Sequence, residues 1–96
     1  HYIRGICSVY YMKEAMEIAA KNGPITGPNI KAAMYQKANW VPAGLEGVCA
    51  PSTWKADDHR GSTEVMVYQG HTKGGAISMK KIYTVTLPRR PEWLGW

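Results

Sequence analysis

Ninety-six residues with a net charge of +5 and a pI near 9.4 make one domain or part of one. A chain this short buries about 60–65% of the surface its unfolded form exposes, so its core is thin. Its 45% hydrophobic and 20% charged residues exclude a disordered chain, and no run of about 18 apolar residues offers a membrane-spanning helix.

Most basic residues stand apart, with only Lys80–Lys81 and Arg89–Arg90 as doublets. That scatter argues against a surface that tracks phosphates. The chain opens at His1 with no initiator Met and no basic-then-apolar leader, so a removed signal or a start further upstream is expected. Cys7 and Cys49 are too few for a disulfide scaffold or a self-contained zinc site. They are either one bridge, formed in an oxidising compartment, or two buried thiols.

From Tyr2 to about Lys21 the spacing predicts a helix, with Ile6, Val9, Tyr10, Met16, Ala19 and Ala20 as its buried stripe. Lys13, Glu14, Glu17 and Lys21 mark the wet face, and two of their i, i+4 pairs add a few tenths of a kcal/mol each. Asn22-Gly23-Pro24 stops the helix, with Gly23 expected in the left-handed conformation. Thr26 then offers an N-cap, with Pro28 in the first turn, and a shorter helix runs to about Lys37. Its inward positions are Ile30, Ala33, Met34 and the stem of Lys37. Trp40-Val41-Pro42-Ala43-Gly44 breaks it, and the two helices should pack as neighbours.

Thr63 to Gln69 alternates and is rich in β-formers, which predicts a strand. His71 to Gly75 reads as a turn, and Ala76 to about Leu87 as a second strand. The two make a hairpin with a bulge near Lys80–Lys81, where the alternation slips by one. Pro88 to Trp96 has two prolines and no period, so it reads as an extended tail whose Trp93 and Trp96 need somewhere to dock. Two helices and one hairpin leave a sheet that is nearly all edge, the inventory of part of something larger.

Gly47 to Gly61 joins the helical half to the strand half and concentrates the reactive residues. Asp57, Asp58 and His59 are contiguous, so they cannot all face one ion from a single element. Cys49 and His59 form a nucleophile–base pair on paper, but no third orienting group or oxyanion hole accompanies them. There is no nucleophile elbow, P-loop or dinucleotide fingerprint. The structural reading needs less. Pro51 holds the chain extended, Asp57 or Asp58 caps a turn, Arg60 bridges carbonyls or Asp58, Gly61 takes a positive φ, and Trp54 covers the core edge. No catalytic, metal or cofactor site is expected, and the chain is not read as an enzyme.

Thr53 to Gly61 (Thr-Trp-Lys-Ala-Asp-Asp-His-Arg-Gly), followed by Val67-Tyr68-Gln69, resembles the C-terminal region of type I periplasmic solute-binding proteins of the branched-chain amino acid (leucine/isoleucine/valine) type. Three further segments agree in order: His1-Tyr2-Ile3-Arg4-Gly5, Ile25-Thr26-Gly27-Pro28-Asn29-Ile30 and Pro91-Glu92-Trp93-Leu94-Gly95-Trp96. The resemblance implies an α/β fold, a fragment of a two-lobed binding protein, here two helices followed by a β-hairpin and an extended tail. Residues 1–96 would mostly complete one lobe, with the last strands crossing the hinge and no separate domains.

The implied function is the periplasmic, exported ligand-binding component of an ABC importer, capturing a small carboxylate-bearing solute such as a branched-chain amino acid or aromatic acid by lobe closure. The implied partners are that solute, the remainder of the binding-protein chain and a membrane permease, with no nucleic acid. Tyr2 matches an aromatic position at the cleft end of the family's long helix, which implies either a ligand-side-chain contact or hinge packing. Cys7 and Cys49 depart from the commonest pattern; in an exported protein they would staple the long helix to the loop. Three alternatives stand beside this: a ligand-sensing regulator or receptor on the same fold, a small basic nucleic-acid-binding module, and an enzyme using Cys49 and His59.

Overall fold

The computed structural model describes residues 1–94 of the chain. Helix α1 spans Tyr2–Asn22 and helix α2 spans Gly27–Met34, joined by a turn of four residues. No proline interrupts α1, and Lys13 donates to Glu17 at 2.7 Å on its outer face. Gly23 ends it, not in the left-handed conformation but at φ 152°, ψ −159°, a region that only glycine enters easily. The amide of Asn29 donates to Pro24 O at 2.7 Å and closes the turn. Thr26 caps α2 through its hydroxyl, which accepts from Asn29 N, and Pro28 lies in the first turn as expected. Helix α2 stops at Met34, short of Lys37, because the Tyr35 and Gln36 amides tighten onto Ala32 O and Ala33 O.

The buried stripe of α1 is rotated from the expected one. Of the expected positions Ala19 is buried and Ile6 half-buried, but Val9, Tyr10, Met16 and Ala20 are exposed; Tyr11 and Ala15 are buried in their place, flanked by Cys7 and Ile18. The reason is size. Ala15 and Ala33, both fully buried, let α1 and α2 approach closely, and larger residues would hold the helices apart. Met16 and Val9 therefore lie on the face opposite the core, in one line with Tyr2 at seven-residue spacing.

Residues 35–52 are irregular, yet they supply much of the core. Trp40 and Ser52 exchange backbone hydrogen bonds of 2.8 and 2.9 Å, closing the segment between them into a loop. Trp40 is buried, and with Tyr11 and Trp54 it forms an edge-to-face trio with centroids 5.0–6.1 Å apart.

The stretch expected to be only a turn instead holds a short hairpin. Strands β1 (Thr53–Lys55) and β2 (Asp58–Gly61) pair antiparallel, with Thr53 opposite Gly61 and Lys55 opposite Asp58. Strands β3 (Glu64–Lys73) and β4 (Ala76–Thr86) form the second, longer hairpin. Its turn is narrower than expected. Gly74 and Gly75 alone make it, both at positive φ (57° and 80°), a geometry that suits the strands' twist. The expected slip in alternation is present. Val67 faces Tyr83 and Tyr68 faces Lys81, so Ile82 is the extra residue, one position past the doublet. Beyond β4 the tail is not fully extended. Pro91–Trp93 make a 3₁₀ turn, and Leu94 is buried. Trp93 is half exposed, and the expected docking of Trp96 lies outside the described residues.

The fold is thus two helices with two small antiparallel sheets, a mixed α/β arrangement. The core gathers where α1, α2 and the 40–54 segment meet. The long hairpin stands apart from it: every residue of β3 and β4 except Val67 is exposed.

Candidate functional site

Three side chains one helical turn apart, Cys7, Tyr11 and Glu14, make α1 a clasp on the irregular segment. Cys7 and Cys49 are joined, with Cα atoms 5.7 Å apart, so of the two readings of the cysteines the bridge is the one present. The Tyr11 hydroxyl lies 2.7 Å from both Trp40 O and Ala50 O, sharing its proton between the two carbonyls. Glu14 accepts from Ala43 N (2.6 Å), Trp40 Nε1 (2.7 Å) and Lys37 Nζ (3.3 Å). Burial pushes the Glu14 carboxyl upward, but these three donors outweigh it and leave it below the ordinary value. Glu14, expected on the wet face, is therefore the anchor of the loop.

The reactive residues of the 47–61 stretch are each engaged. Cys49 is in the bridge and buried, which removes the Cys49–His59 nucleophile pair. His59 Nε2 meets the Tyr35 hydroxyl at 2.7 Å with the rings stacked, and its backbone N–H donates to Leu94 O at 2.8 Å. Strand β2 holds Asp58 against the guanidinium of Arg60 in a forked pair, Nε to Oδ1 at 2.9 Å and Nη2 to Oδ2 at 2.6 Å. Those hydrogen bonds pull the Asp58 carboxyl from 3.8 down to about 2. Arg60 also donates to Pro88 O, and Arg89 reaches Asp57 O and Oδ2. The four charges knit the tail to β2. Among the described residues, no group of three His, Cys, Asp or Glu side chains is placed to hold a metal ion.

Tyr2, the one candidate ligand contact, opens α1 with its side chain 83% exposed. It does not line any of three cavities on the surface of the described residues. One groove is polar, between Asn39, Thr53, Lys55 and the 61–64 bend; a second follows the wet face of α1; a shallow third lies beside Lys31, Met34, Tyr35, Trp54 and His59. Among the described residues the structure brings Tyr2 together with no other polar candidate, but aligns it with Val9 and Met16 on an exposed face of α1. Sequence reasoning missed Tyr11 and Glu14. Their signal was a polar pair at i, i+3 following a cysteine at i−4, on a helix that also carries buried alanines. Compared with family models, curated proteins and solved structures, the chain matches none.

Proposed function

We propose that this chain is the C-terminal part of an exported solute-binding protein of the branched-chain amino acid type. In that reading it closes with a second lobe on a small carboxylate-bearing solute and delivers it to an ABC permease. The observation that carries this reading is the hairpin. Its base carries one apolar face, Val65 and Val67 opposite Val85 and Tyr83, and one mixed face, Met66 and Tyr68 opposite Thr84 and Lys81, and of these residues all but Val67 are exposed. An antiparallel pair with one apolar face in water is what remains where a lobe that continues into its hinge would cover that face. The Cys7–Cys49 bridge supports export, since lasting disulfides belong to oxidising compartments. The second apolar face of α1, through Tyr2, Val9 and Met16, supports a helix covered from two directions.

Function here is binding without chemistry. Solute stabilises the closed form by its greater affinity for it. Isothermal titration of the whole natural polypeptide with branched-chain and aromatic acids tests the proposal. Saturable uptake of one such acid is expected, and Tyr2→Ala lowers the affinity about tenfold if the ring meets the solute side chain. Absence of any heat or thermal shift across both acid classes would overturn the transport reading.

A further inference from the structure

We propose that the distal half of β4, Ala76 to Lys81, is a strand-addition site for an extended partner segment that alternates acidic and apolar residues. The inference concerns the tip half of the hairpin and stands independently of solute transport, which engages the base. Two-stranded sheets leave the outer edge of each strand with unpaired N–H and C=O groups, a template for one more strand.

The two distal faces differ in chemistry. Register places Lys80 opposite Gln69 and Ser78 opposite His71 on one face, which is polar and cationic. The other face pairs Met79 with Gly70 and Ile77 with Thr72 and ends at Lys81, opposite Tyr68, so a cation closes each face. Ile77 and Met79 are 81% and 70% exposed, and Gly70 leaves open space beside Met79. An added strand must present side chains to the two faces in alternation. One that sets acids over Lys80 and apolar groups against Ile77 and Met79 satisfies both at once.

Charge selects the occupant. From Val65 to Thr86 there is no Asp or Glu, whereas Lys73, Lys80 and Lys81 are all cationic. A second copy of the hairpin would bring lysine to lysine, the device by which edges refuse their own kind. An acidic segment of a partner protein meets no such repulsion.

The test uses a fluorescent octapeptide of alternating Glu and Val, read by anisotropy against the protein, with amide exchange as the map. Saturable binding is expected, with slowed exchange confined to alternate amides between Ala76 and Ile82. Lys80→Glu with Lys81→Glu weakens it at least tenfold, and Lys80→Gln with Lys81→Gln gives a smaller loss in the same direction. Circular dichroism confirms that each variant keeps its fold; if the charge reversal unfolds, the glutamine pair carries the comparison. Equal affinity for a Lys-Val octapeptide, protection mapped away from β4, equal competition by heparin, or dimerisation through the hairpin in sedimentation would each overturn the proposal.

Discussion

Asp58 and Arg60 show how two residues decide what looked like a reactive cluster. Two apart on a strand, they lie on one face, and the fork geometry of guanidinium and carboxylate follows. The consequence is a pH dependence of defined sign. The folded carboxyl titrates at about 2, below its ordinary 3.8, so its stabilisation is complete above about pH 4 and is lost as pH falls toward 2. Glu14, also lowered from 4.5, adds to the same acid limb. Asp58→Asn is expected to cost about 1–2 kcal/mol at neutral pH and to flatten that limb, as read from thermal midpoints between pH 2 and 6. Gly61 is the other sensitive position. It holds φ 78°, and a Cβ there would lie 2.8 Å from Trp54 Nε1. Gly61→Ala should cost about 2–3 kcal/mol and change the tryptophan emission, since either the backbone or the Trp54 ring must move. The positive φ at Gly61 and the Arg60–Asp58 pair were legible because both are local. Glu14 was not, because its partners lie 23 to 29 residues away and a carboxylate on a helix reads as solvated by default.

At the scale of elements, pattern served the helices and the long hairpin and failed between them. The Thr26 cap and the bulge beside Lys81 both follow from short-range chemistry. The burial of α1 does not. A scale that ranks Met and Val above Ala points to the wrong face when two helices meet through alanines. The β1–β2 hairpin was missed because three- and four-residue strands are shorter than any alternation can reveal. The segment before that hairpin, 35–52, is held in shape by side chains of α1. The clasp makes that dependence measurable. Cys7→Ala with Cys49→Ala opens a 42-residue loop, and chain entropy puts the loss at about 4 kcal/mol. Tyr11→Phe leaves two carbonyls without their shared donor and should cost about 1–2 kcal/mol. Because the two act on the same segment, their effects in urea unfolding are expected to be non-additive, and a double-mutant cycle reads the coupling.

Across the whole molecule, order is divided unequally. The clasp, the aromatic trio and the alanine contact concentrate burial at one end, while the hairpin keeps its hydrogen bonds but has both faces in water. A lone two-stranded hairpin is marginal, so its amides depend on what covers it. Hydrogen exchange then separates the packed end from the hairpin in the 96-residue chain. Amides of Tyr11 to Ala19 are expected to exchange at least a hundredfold more slowly than those of Tyr68 to Ile77. If a longer polypeptide supplies the second lobe of the proposed reading, protection should rise first at the base, around Val65 to Val67 and Tyr83 to Val85, because the uncovered apolar face lies there. The tip should stay fast until an acidic strand is added. If base and tip gained protection together, the hairpin would be a single covered unit, and the division of labour along it would be wrong.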